Sequence, residues 1–227
     1  MILDLLMQIS ALCVAISVHE WAHAFIAYKN GDPTAKVMGR MTLAPHAHFD
    51  LWGFLCFMFL GFGWAKGVPV NSLNFKKGKI SSFWVSIAGI LANIVIGIVA
   101  VLIHTALLTF KPVFMASSHW YATMLTSFLN YSVTFNFVLA FFNLLPLYPL
   151  DGFRMIESFC KPHNKFLNFM RRYSKVIIIA LIIAPTLLNL LTLFIVPDII
   201  DLYLNFTAGN VIDFLYKIFT KFFGAML

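Results

Sequence analysis

Residues 2–28 read ILDLLMQISALCVAISVHEWAHAFIAY, an apolar run with His19, Glu20 and His23 near its end. The run decides the fold class, because a helix needs about 20 apolar residues to cross a bilayer. It also sets a chemical problem. Ionisable side chains inside a bilayer are costly unless they are paired, metal-bound or facing water. His19 and His23 are four residues apart, so a helix puts both on one face, where they can share one metal ion. Glu20 lies beside them, and a carboxylate there can act as general base toward a metal-activated water.

Composition extends that reading to the whole chain of 227 residues. Only 11% of them are charged, against roughly 25% in a soluble domain, and the mean hydropathy is +0.87. The chain reads as an all-α, multi-pass membrane protein. It forms one unit over 1–227, with a core at 1–152 and accessory C-terminal helices at 174–227. The net charge of +7 does not signal nucleic acid, because the Lys and Arg residues gather in a few inter-segment loops, as membrane orientation requires. Cys13, Cys56 and Cys160 lack C-x-x-C spacing and read as free thiols. The first run carries Asp4 and no Lys or Arg ahead of it, so it reads as a retained span and not a signal peptide.

Further apolar runs cover about 81–110, 120–148 and 176–196. A last one at 210–223, interrupted by Asp213, Lys217 and Lys221, either spans or lies on the surface as an amphipathic helix. The expectation is four to six transmembrane helices. The run from Leu51 to Trp64 is shorter than the roughly 20 residues a span needs, so it reads as re-entrant or interfacial. Basic residues put 66–79 and a 153–175 loop on the cytoplasmic side, and leave 111–119 and 197–210 outside.

A catalytic zinc site takes three protein ligands and keeps one position open. The candidates for a third ligand are Asp151, His104, His119, His46, His48 and Glu157. Asp151 stands out by context. It ends the stretch NLLPLYPLDG at 143–152, where two prolines break the third span and leave backbone groups free. Irregular backbone at membrane depth is tolerated where it lines a water-filled cavity. For Asp151 to reach the histidines, the first and third spans must run in the same direction. That holds if 81–110 crosses and 51–64 does not, and it puts the zinc nearer the cytoplasmic face.

Taken in order, these motifs resemble the site-2 protease family of intramembrane zinc metalloproteases, in its compact form without PDZ or CBS domains. His19-Glu20-x-x-His23 resembles the family's zinc helix. Residues 143–152 are similar to its Asn-Pro-Leu-Asp-Gly motif, which implies Asp151 as third ligand. Gly89 to Asn93 is similar to its Gly-x-x-x-Asn stretch, and 31–35, 42–50 and 63–71 resemble loops of the compact members. Ala44, Leu51, Ile90 and Phe153 depart from the common residues, which bears on loop shape and substrate preference. The resemblance implies one Zn2+ per chain and a protein of the cell membrane. It implies hydrolysis of a peptide bond within or near a transmembrane segment of a membrane-protein substrate, as in regulated intramembrane proteolysis. A membrane partner, or a prior cleavage of the substrate, would supply any regulation.

Other residues carry two readings each. Asn143 and Asn93 are amides in apolar spans, able to orient a substrate carbonyl or a ligand, or to hydrogen-bond between helices. Gly89, Gly97 and Ala88 read as close-packing positions. His48 reads as a surface-loop histidine and His104 as too far away in depth. Val68, Pro69, Val70 and Asn71 read as an edge strand for an unwound substrate segment, or as an ordinary loop. Two other classes compete with a protease: a transporter or channel that binds an ion with the same side chains, and an inactive scaffold. An intact ligand set beside an intact base favours the enzyme.

Overall fold

The computed structural model describes residues 2–60, 63–110, 120–161, 164–192 and 199–225, with the side chains of 60, 182–192 and 199 outside that description. Its helices are α1 (Ile2–Lys29), α2 (Thr34–Val37), α3 (Leu51–Leu60), α4 (Lys79–Thr109), α5 (Trp120–Asn143), α6 (Asp151–Phe159), α7 (Lys165–Thr192), α8 (Ile199–Leu204) and α9 (Asn210–Gly224), with a π-helical turn, Asn205–Gly209, before the last. Three of them, α1, α4 and α5, are long and apolar enough to cross a membrane.

These three pack on one another through small residues. The buried face of α1 includes Ala11, Ala15, Ala22, Ala24 and Ala27. Helices in lipid gain little from hydrophobic burial, and small side chains let backbones approach closely enough for dispersion to hold them. On α4, a side chain added at Gly97 would stand 2.8 Å from the Phe137 ring of α5. Val101, Val133 and Phe137 form the buried core there, and Val211, Leu215 and Phe219 of α9 pack against it. Cross-links fix the directions. Tyr131 donates to Asp4 (2.8 Å) near the start of α1, while the residues following α5 reach the end of α1. Helix α4 runs the other way, with Asn93 beside Ala15 and Val85 beside His23. So α1 and α5 are parallel and α4 is antiparallel to both, as the sequence requires for the histidines and Asp151 to meet.

A polar clasp ties the end of α1 to the segment that leads into α4. The Lys76 N–H donates to the Asn30 carbonyl (2.9 Å). The buried Asp32 carboxylate accepts from the Asn71 N–H (2.7 Å), the Asn74 amide (2.8 Å), the Thr34 N–H (3.1 Å) and the Thr34 hydroxyl. Burial alone would raise the Asp32 pKa, but these bonds outweigh it and hold the carboxyl below the usual carboxylate range. The clasp is therefore charged at neutral pH. Gly31 adopts φ +105° within it, with the Asn74 carbonyl against the position a side chain would take, so only glycine fits.

Both flanks of 38–66 thus stand at one end of the bundle. Helix α3 has 10 residues, about half of what a crossing needs. The segment leaves and returns on the same side, as its length suggests.

Some expectations are corrected. Among the described residues there is no strand, so the β-strand loops are absent. Residues 66–71 form a segment without helix or strand, whose backbone groups bond to loops and side chains instead. Lys66 N–H donates to the His48 carbonyl (2.9 Å), and Arg40 donates to the carbonyls of Lys66 (2.6 Å) and Gly67 (3.2 Å). The basic stretch 153–175 is mostly helix, in α6 and the first turns of α7, because charge sets sidedness and not secondary structure. Helix α7 absorbs the start of the expected fourth span, whose end at 193–196 lies outside the described residues, as does the linker 111–119. Helix α9 continues without a break from α8 through the π turn, so 199–224 is one helical stretch, and its α9 part packs along α4, where Tyr216 and His104 share a hydrogen bond of 2.6 Å.

Single cysteines introduced at Met38 and Lys77 in a cysteine-free background should be labelled from the same side of sealed vesicles by an impermeant reagent. Labelling from opposite sides would mean that 51–60 crosses.

Candidate metal centre

Helix α1 presents His19 and His23 one turn apart on its buried face. After α5, the turn through Pro146 and Pro149 brings Asp151 to the first position of α6. Asp151 Oδ2 then lies 3.0 Å from His23 Nε2 and 3.2 Å from His19 Nε2. The two Nε2 atoms are 3.0 Å apart. All three residues are buried.

The opposite ring nitrogens define the proton positions. His19 Nδ1 donates to Asn93 Oδ1 (2.6 Å) and His23 Nδ1 donates to the Val85 carbonyl (2.6 Å). Both acceptors require an N–H at Nδ1, so each neutral imidazole presents a lone pair at Nε2. Two nitrogen lone pairs and a carboxylate oxygen then face one another with no proton between them. Such a set repels itself unless a cation stands among it. Ligands about 2.1 Å from a tetrahedral zinc stand roughly 3.4 Å apart, close to the spacings found. The residues fit a zinc ion with three protein ligands and a fourth position free.

The supports reach beyond the ligands. Asn93 Nδ2 donates to Asn136 Oδ1 (2.8 Å) and to the Ala15 carbonyl (3.2 Å), and Asn136 Nδ2 donates to the Ser132 carbonyl (2.8 Å). These bonds use the Asn93 amide nitrogen and leave its oxygen for His19. Metal-binding histidines depend on such partners for ring orientation and basicity. Gly89 lies against both rings, and a side chain there would collide with His19 and His23. The close approach read from its sequence exists, and what approaches is the histidine pair.

Glu20 points to the non-helical segment 66–71. Its Oε2 accepts the Val68 N–H (2.7 Å). Gly67 is beside it, and a Cβ there would stand 3.9 Å from both carboxylate oxygens.

The other candidates lie elsewhere. His46 is exposed. His104 bonds Tyr216, Glu157 pairs with Arg171, and His119 falls in 111–119, outside the described residues. His48 is not a surface residue: it is buried, with Nε2 donating to the Thr42 carbonyl (2.8 Å), because its loop folds back onto α1. Asn143 donates its amide to Leu139 of its own helix (2.9 Å), so Asn93 and not Asn143 contacts a ligand. Sequence reasoning missed Asn136, Val85 and Asp32. Asn136 had a signal as a further amide in an apolar span. The Val85 carbonyl had none, since every residue carries one.

The model of Peptidase family M50 matches residues 7–185. The chain belongs to this family. It is 37% identical over 175 residues to the Bacillus subtilis protein named "Putative zinc metalloprotease YwhC", covering 77% of this chain and 78% of that one. It is 27% identical over 186 residues to "Putative zinc metalloprotease Rip2" of Mycobacterium tuberculosis strain H37Rv, covering 80% and 68%. The Mycolicibacterium smegmatis protein of the same name is 27% identical over 188 residues, with the same coverage. No solved structure matches the chain. The family expectation is borne out: this is a membrane metalloprotease of the M50 family, with Zn2+ as its metal.

Asn93→Ala should weaken zinc binding roughly 10- to 100-fold, measured by competition with a chromogenic chelator in detergent. Gly89→Ala should lower zinc content further, by displacing both rings. Wild-type affinity in both variants would show that the ring supports do not matter.

Proposed function

We propose that the chain is an intramembrane protease that cleaves a peptide bond within or near a transmembrane segment of a membrane-protein substrate. The observation that carries this is the buried His19–His23–Asp151 group, set among helices long enough to cross a membrane, with Glu20 on the neighbouring turn. His19, His23 and Asp151 would hold one Zn2+. A zinc ion at that position supplies Lewis acidity, which polarises water and the scissile carbonyl.

The chain's own residues do the rest. Glu20 takes the proton of the attacking water as its oxygen bonds the carbonyl carbon. It returns that proton to the amide nitrogen as the C–N bond breaks. The Val68 N–H fixes one Glu20 oxygen, leaving the other for the water. Asn93 holds His19 in register, and Asn143 stands at the end of α5, where a substrate carbonyl could meet it. A helical substrate must unwind before hydrolysis. The non-helical segment Val68, Pro69, Val70 and Asn71 supports a pairing role, because the Val68 and Val70 carbonyls have no hydrogen-bond partner among the described residues. A strand-like substrate could add to such an edge.

The whole chain would act as one unit, with core 1–152 and accessory helices at 174–227. Basic residues at 66–79 and 153–175 support a zinc site nearer the cytoplasmic face of the cell membrane. Regulation would come from a membrane partner, or from a second protease that trims the substrate first.

Glu20→Gln should keep its zinc and lose cleavage of transmembrane reporter peptides by roughly 10²- to 10⁴-fold, while His23→Ala should lose both. Cleavage at the wild-type rate by Glu20→Gln would remove Glu20 from the mechanism.

A further inference from the structure

Two buried polar atoms outside the metal group have no partner among the described residues, and the residues that carry them line the same cavity. Ser17 Oγ and His48 Nδ1 are each shielded from solvent and unbonded, in residues 3% and 1% exposed. Both residues line a small cavity completed by Cys13, Ile16, Pro45 and Phe49. His48 Nε2 donates to the Thr42 carbonyl, so in the neutral ring Nδ1 is a bare acceptor. Buried polar atoms in native proteins are almost always paired, with protein or with ordered water. The cavity offers about 30 Å³ to the centre of a water molecule, where one water needs roughly 10–15 Å³ and two or more polar partners.

Its position gives it meaning. Cys13, Ser17 and Glu20 follow at four- and three-residue spacing, so they share one stripe of α1. The cavity thus lies directly below the Glu20 side of the helix. Ser17 is about 18 Å along α1 from Lys29 at 1.5 Å per residue, well inside the span. The loop facing it, 42–50, contains only the short 3₁₀ turn Pro45–Ala47. Non-helical backbone at membrane depth is stable only against protein or water.

We propose that Cys13, Ser17 and His48 enclose a hydrated pocket that binds ordered water on the Glu20 face of α1, a reservoir for the hydrolysis. The hydration stands on the pocket alone, and the reservoir role rests on the protease reading above. In protein carrying Cys56→Ser and Cys160→Ser, Cys13 is the one remaining thiol. The Cys13 thiolate attacks the thiomethyl sulfur of methyl methanethiosulfonate and expels methanesulfinate; the thiolate forms only in contact with water, so the rate in reconstituted vesicles reads hydration. Cys13 should react roughly tenfold or more faster than Val14→Cys in a Cys13→Ala background, a neighbour at the same depth on an exposed face. Ser17→Val should slow Cys13 toward that reference and Ser17→Thr should restore it, each with zinc content held. The kcat of Ser17→Val should also fall severalfold at unchanged KM. Equal rates for Cys13 and the Val14→Cys thiol would overturn the pocket without any variant at 17. A slowed Cys13 with unchanged kcat would overturn the reservoir role. Neither result touches the protease reading, which fails separately if Glu20→Gln still cleaves.

Discussion

Three electron-pair donors that cannot tolerate one another without a cation hold the centre of this protein together. His19 and His23 turn their Nε2 lone pairs toward Asp151 because Asn93 and the Val85 carbonyl have claimed the other ring nitrogens. Stripping the partner from a buried charge costs about 3–5 kcal/mol. A cation held by these groups would therefore tie their helices together as much as their own packing does. Small residues make the tie short enough. Gly89 lets α4 meet the rings, and the alanines of α1 let α4 and α5 close around it.

The second constraint is that the segment between α1 and α4 must return to the side it left. The Asp32 clasp closes this excursion, and Arg40 and His48 hold its returning arm at Lys66 and Gly67. The next residue, Val68, places its N–H on Glu20. One chain of contacts thus links the buried, charged Asp32 clasp, a buried loop and Glu20. It gives the non-helical backbone near the metal group a reason to be where it is.

Much of this is legible in the sequence, for physical reasons. Histidines four apart on a helix share a face whatever surrounds them. The parallel direction of α1 and α5 follows from counting crossings, since a 10-residue helix cannot be one. Partner choice is not legible. A sequence such as 66–71 does not say whether its backbone pairs with a strand or with side chains, so it reads equally as an edge strand or an ordinary loop, and among the described residues it is a loop. His48 reads as exposed because loop residues usually are, and only the fold of 42–50 onto α1 buries it. Asn93 and Asn143 look alike as amides in apolar runs, and only the facing of their helices sends one to His19 and the other back to Leu139.

X-ray absorption at the zinc edge of detergent-purified protein tests the central claim most directly. The account predicts about one zinc per chain with only nitrogen and oxygen neighbours at roughly 2.0–2.2 Å, two of them showing imidazole scattering. A sulfur neighbour near 2.3 Å, or no retained zinc, would contradict it.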